Sequence, residues 1–143
     1  MPAPATVPIG LQLARSARAV SRAFDQALAV AGGSLPVWLV LLSLRTQALG
    51  TQRELAEAVG IREATLTHHL TAMEDDGLVT RRRHDSNRRV QVVELTPEGI
   101  RLFDRLRTAA VEFDRRLRAG VSDGDVARLG ALLSRLVENV AAG

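Results

Sequence analysis

The chain has 143 residues, 46% of them apolar and only 3% aromatic, so it can bury an aliphatic core in one domain or one tightly joined pair of subdomains. It has no cysteine, which excludes a disulfide framework, a Cys-ligated zinc, an iron–sulfur cluster and thiol-based redox sensing. All 19 basic residues are arginine and, against 16 acids, leave a net charge of only +3; the longest apolar run, Val37 to Leu42, falls far short of the ~18 residues of a membrane span.

The N-terminus lacks a basic stretch followed by an apolar one, so no secretion signal is read and the expected setting is cytoplasmic. The first predicted element is a helix over roughly residues 9–31, where Leu13, Ala17, Val20, Phe24, Leu28 and Ala31 recur at steps of three or four. Gly32 and Gly33 end it. Ser34-Leu35-Pro36 opens a second helix, with proline in the first turn where it has no N–H to lose, running to about Ala48. Val37, Trp38, Leu39, Val40, Leu41, Leu42 and Leu44 make it apolar on most sides, as befits a helix in the middle of a fold. Thr51 and Glu54 form a capping-box pattern for a short third helix, which Gly60-Ile61 breaks. A fourth helix follows from about Arg62 to Asp76, with Leu66, Leu70 and Met73 inward and Gly77 just past its end.

Leu78–Arg83 and Val90–Leu95 are rich in β-branched residues and read as two strands, with His84 to Arg89 as the turn. Thr96-Pro97-Glu98 restarts helix: threonine caps, proline takes the first turn, and glutamate favours the positive helix end. Two long helices complete the chain. Phe103, Leu106, Ala110, Phe113 and Leu117 form one narrow apolar seam; Val126, Leu129, Leu133, Leu136 and Val140 form another after the Ser122/Asp125 cap. The expected fold class is mainly α with a small two-stranded β wing. The expected regions are an N-terminal helix (1–34), a middle lobe of short helices and a hairpin (35–96) and C-terminal helices (97–143).

Function concentrates in the middle of the chain. A helix-turn-helix needs a small residue at the helix crossing, a glycine-containing turn and apolar clamps, and Ala56, Gly60 and Leu66 fall at that spacing with Leu55, Val59, Ile61 and Leu70. This leaves Arg62, Thr65, Thr67, His68 and His69 on the outward, N-terminal part of the second helix, where side chains reach base edges and phosphates. The segment 51–96 carries a net charge of −1, yet Arg81, Arg82, Arg83, Arg88 and Arg89 lie within nine residues beside the single acid Asp85. As a wing, this hairpin brings Arg81, Arg83, Ser86, Asn87, Arg88 and Arg89 to the DNA backbone and minor groove. Glu74, Asp75 and Asp76 sit at the far end of the recognition helix, away from DNA.

Leu66-Thr67-His68-His69-Leu70, Met73 to Val79, and above all Asn87-Arg88-Arg89 followed by Val93 to Gly99 resemble the multiple-antibiotic-resistance regulator (MarR) family of winged-helix repressors. The resemblance is carried by residues 35–100, extends through the flanking helices, and is most specific from Gly77 to Gly99. It departs at Asn87, where the family usually has an aspartate paired with a wing arginine matching Arg89, and at His68, where many members have arginine. It implies a homodimer in which the first and last two helices interlock with a partner's, and a repressor of a palindromic operator on double-stranded DNA. It also implies a small-molecule effector. Arg15, Arg18 and Arg22 share one face of the first helix, and Arg15 and Arg18 with Trp38 could hold an aromatic carboxylate or phenolic ligand.

Other readings weigh against these. The arginine run can be a solvated strand edge that resists aggregation. Arg15 and Arg18 can be surface charges and Trp38 core, and the heptad seams can form an intramolecular hairpin. His68 and His69 point about 100° apart on a helix and do not share a metal ion easily. The alternative function is a winged-helix module for protein–protein contact without DNA. No paired catalytic groups, phosphate loop or cofactor site is read, so the chain is not expected to be an enzyme.

Overall fold

A computed structural model describes residues 6–47 and 51–141. Its elements are α1 (Ile9–Val30), α2 (Leu35–Thr46), α3 (Gln52–Val59), α4 (Glu63–Asp75), β1 (Val79–Arg83), β2 (Gln91–Leu95), α5 (Pro97–Leu117) and α6 (Asp123–Ala141). The fold class is the one expected: helices with one antiparallel two-stranded sheet, in the order read from the sequence. The expected end of the second helix at Ala48 lies outside the described residues. Among those residues, no single helix is long and apolar enough to cross a membrane.

Each helix start has a chemical reason. Ser34 accepts a hydrogen bond from the N–H of Val37, and Pro36 occupies the first turn of α2. Thr51 accepts from the N–H of Glu54 at 3.1 Å and donates its own proton to the Glu54 carboxylate at 2.7 Å, so α3 begins with two local bonds. Ser122 caps α6 by accepting from the N–H of Asp125 at 3.1 Å. Packing divides the chain after Ala110.

In the first unit α2 is the central helix, in contact with α1, α3, α4 and β2. Val40 and Leu41 are fully buried there, together with Leu28, Leu55, Leu66, Leu70, Met73, Val79 and Leu106 from the surrounding elements. Removing a leucine or valine side chain from water contributes about 1.5–3 kcal/mol, so these nine residues account for much of the lobe's cohesion. Only the second half of α1 joins this core: Leu28 is buried, whereas Leu13 and Val20, on the same apolar seam, are exposed.

The helix-turn-helix turn rests on Gly60, whose φ of 80° lies in the left-handed region open to glycine. Its N–H and that of Ile61 both donate to the Ala56 carbonyl, at 2.9 and 3.1 Å, which ends α3 and turns the chain into α4. Ala56 is buried at the crossing. The sheet pairs Val79 with Leu95, Thr80 with Glu94, Arg81 with Val93, Arg82 with Val92 and Arg83 with Gln91. A single bridge from Thr51 to Val92 ties the start of α3 to β2.

Thr96 locks the next corner. Its hydroxyl donates to the Gly77 carbonyl and accepts from the Gly99 N–H at 3.0 Å, while its own N–H donates to the Leu78 carbonyl at 3.1 Å. Gly99 is buried so close to this corner that a Cβ there would lie 2.1 Å from the Leu78 carbonyl oxygen.

The second unit comprises the end of α5 and α6. Arg118 pairs with Asp114 and with Asp123, at 3.5 and 3.0 Å, across the turn between the two helices. No residue of α6 is buried, and its seam residues Leu129, Leu133 and Val140 stand exposed.

Candidate nucleic-acid interface

The outward side of α4 is polar because its inward side is spent on Leu66, Leu70 and Met73. Helical spacing then puts Arg62, Thr65, Thr67 and His68 in solvent, while His69 is half-buried. The two histidine rings meet edge to face, with centroids 5.9 Å apart. Thr67 is the most connected of these residues: its hydroxyl donates to the Glu63 carbonyl at 2.9 Å and accepts from the Gln52 side-chain amide at 2.5 Å.

The hairpin tip is organised by its own side chains. Asn87 accepts from the backbone N–H of Arg89 at 3.1 Å through Oδ1, and its carbonyl accepts from the Val90 N–H at 3.0 Å. Asparagine thus shapes a local turn here in place of a charged pair. Ser86 bonds the His84 Nδ1 atom with both its N–H, at 3.1 Å, and its hydroxyl, at 2.8 Å. Arg83 donates to the Arg88 carbonyl across the loop at 2.9 Å. Arg88 and Arg89 remain exposed.

Recognition helix and wing frame one open cleft of about 630 Å³. Thr51, Gln52 and Arg53 line it from α3 and its cap; Glu63, Ala64 and Thr67 from α4; Arg89, Val90 and Gln91 from the end of the hairpin. An arginine, a glutamine and a threonine converging on one groove are donors and acceptors of the kind that read base edges and bind phosphate.

Two sequence expectations are corrected. Arg81 does not present a free guanidinium: its side chain is 18% exposed and donates to Glu74 at 3.2 Å and to the Thr71 hydroxyl at 3.1 Å. The reason is the period of two along a strand, which puts Arg81 on the same face as buried Val79, opposite Val93. Val79 was already read as part of the strand, so this alternation was the available signal. The second correction concerns the effector site. Trp38 is 8% exposed and stacks on Phe103, with ring centroids 5.6 Å apart and planes 12° apart, so it packs the core and is not an open wall beside Arg15 and Arg18. Those two arginines are exposed on α1.

Gln52 was missed. It is the first residue of α3, and no spacing rule marks it; only the tertiary approach of α3 to α4 brings its amide to Thr67.

Comparison with known proteins gives a consistent picture. The sequence profile of the MarR family matches residues 34–90. The chain is 28% identical over 114 residues to the uncharacterized HTH-type transcriptional regulator YwoH of Bacillus subtilis (strain 168), covering 80% of this chain and 82% of YwoH. It is 31% identical to the transcriptional regulator PA3341, whose crystal structure superposes with a TM-score of 0.76 over 95% of this chain and all of that one (100%). Two solved structures of proteins named CouR are also similar. The one bound to a 23-mer DNA duplex is 26% identical, with a TM-score of 0.80 over 91% of this chain and 92% of CouR. CouR from Rhodococcus jostii RHA1 bound to p-coumaroyl-CoA is 29% identical, with a TM-score of 0.74 over 90% of each chain.

Proposed function

This chain belongs to the MarR family and is a transcriptional regulator, and on that premise we propose that it acts as a homodimeric, sequence-specific DNA-binding repressor of a palindromic operator. The observation that carries the proposal is the shared cleft, in which Thr67 of the recognition helix and Arg89 of the wing face one groove from two elements of a single lobe. In this reading α4 enters the major groove and Arg62, Thr65, Thr67, His68 and His69 meet base edges or phosphates. Arg83, Ser86, Asn87, Arg88 and Arg89 follow the backbone, with arginine reaching the minor groove. The similar protein CouR has been solved bound to a 23-mer DNA duplex, which supports DNA binding as the function.

A second copy of the chain covers the apolar faces. Leu13 and Val20 on α1, and Leu129, Leu133 and Val140 on α6, are exposed in the single chain, and contiguous apolar stripes of this kind mark interfaces. The proposed regions are therefore a DNA-binding lobe over 35–96 between dimerisation helices over 1–34 and 97–143. Two-fold symmetry then spaces the recognition helices by roughly 34–36 Å, one turn of duplex. A small aromatic effector, a carboxylate or phenolic, releases the operator; the p-coumaroyl-CoA complex of CouR supports this part.

The test is selection of duplexes from a random library by the purified protein, followed by titration of the winner. A palindromic consensus bound in a salt-dependent manner by a dimer is expected. A monomer indifferent to every duplex at low salt favours the protein–protein alternative. Effector action is read by titrating phenolic acids into the complex and following DNA release, with Trp38, the single tryptophan, as an internal fluorophore.

A further inference from the structure

The Thr67 hydroxyl is largely committed before any ligand arrives. Its one proton goes to the Glu63 carbonyl at 2.9 Å, and one lone pair accepts from Gln52 Nε2 at 2.5 Å. A hydroxyl has one donor and two acceptor positions, so Thr67 retains one acceptor position and its methyl group, and no donor. Gln52 is half-buried, heads α3, and lines the same cleft as Thr67 and Arg89.

From this arrangement we infer that Gln52, although outside the recognition helix, is a specificity-determining positioning residue that holds Thr67 facing the groove as an acceptor and a methyl, never as a donor. The inference rests on the DNA-binding reading above. Its chemical consequence is selective. Adenine and cytosine offer an exocyclic amine to an acceptor, and thymine offers a methyl to a methyl. Guanine presents only acceptors, N7 and O6, to the major groove, so it is refused at the base facing Thr67. Without the Gln52 bond the Glu63 carbonyl is the hydroxyl's one remaining tie, so side-chain rotation can turn its proton to the groove, and guanine becomes acceptable there.

The experiment is library selection with the full-length protein, Gln52→Ala, Gln52→Met, Thr67→Ala and the Gln52→Ala/Thr67→Ala double variant. Titrations follow on the selected operator, its single-base variants and a scrambled duplex. Wild type is expected to exclude guanine at one position per half-site. Gln52→Ala and Gln52→Met, the second of which keeps the bulk but loses the donor, each relax that exclusion by about tenfold at the position Thr67→Ala affects. The double variant goes no further than Thr67→Ala, and the salt slope stays at the wild-type value. Unchanged preference in Gln52→Ala, or wild-type preference retained by Gln52→Met, overturns the inference and leaves the DNA-binding reading intact. So does a uniform loss of affinity on every duplex with a shallower salt slope, the mark of a phosphate contact. Failure of wild type to select any sequence removes the underlying reading as well.

Discussion

The carboxylate of Glu74 holds Arg81 twice, taking its backbone N–H at 3.0 Å and its guanidinium at 3.2 Å. Glu74 lies in the last turn of α4 and Arg81 in the middle of β1, so this pair ties the recognition helix to the wing. An acid read as merely remote from DNA is thus tied to the hairpin proposed to meet it.

The pair gives the fold a pH dependence. The side-chain hydrogen bond from Arg81, then the backbone one, holds the Glu74 carboxyl below its ordinary value of 4.5. A lowered folded value stabilises the native state above the ordinary value, and that contribution is lost as pH falls through the folded one. Glu74→Gln should therefore unfold at lower urea than wild type near neutral pH, with the gap closing on acidification below 4.5. A gap independent of pH would show that the carboxylate charge is irrelevant.

Two arginines of the hairpin should behave differently in salt. Arg89 is exposed in the cleft, so Arg89→Ala is expected to weaken binding to most duplexes and to reduce the slope of log affinity against log salt by about 0.9. Arg81→Ala removes a bond inside the lobe; it should lower stability and affinity while leaving that slope unchanged. Mobility-shift titrations over a salt series separate the two.

The His68 side chain is exposed on the outward side of α4 and meets the His69 ring, with no hydrogen bond to a side chain or backbone among the described residues, unlike Thr67. His68→Ala should change base preference by about 1–3 kcal/mol at one position per half-site, with little effect on unfolding. Competition between operator variants measures it, and a uniform loss across all variants would move His68 to the phosphate contacts.

Gly99 admits no side chain. With a Cβ placed 2.1 Å from the Leu78 carbonyl oxygen, Gly99→Ala must shift either α5 or the corner between α4 and β1. A loss of about 1–3 kcal/mol in urea unfolding is expected, with DNA affinity falling as the wing moves. Wild-type stability would mean that the corner yields freely.

The proposed dimer is tested on α6. Leu133→Asp places a charge in the exposed seam of a helix with no buried residue, so the single chain should fold while the dimer dissociates. Sedimentation velocity reads the mass directly; a dimer unaffected by Leu133→Asp would exclude α6 from the interface.

The elements were legible because their signals are local. Gly60 and Gly77 mark turns wherever a left-handed residue is needed, Ser34, Thr51 and Ser122 cap whatever helix follows them, and Val79 and Val93 announce strands by residue type. Leu66, Leu70 and Met73 state the inner side of α4 by spacing alone, which leaves Arg62, Thr65, Thr67 and His68 outside by subtraction. The side chains that bond across elements were not legible. Arg81 looked like its neighbours Arg82 and Arg83 until β1 was paired with β2, and Trp38 could be read as core or as a ligand wall until Phe103 lay on it.

The order of helices and strands, the glycine turns, the caps and the polar side of the recognition helix follow from the sequence by itself, because periodicity and backbone preference act over a few neighbouring residues. Which arginine is tied down and which is free, which ring is core, and that Gln52 reaches Thr67 were decided only by the tertiary structure, because those bonds join residues 7 to 65 positions apart, and no local rule fixes their approach.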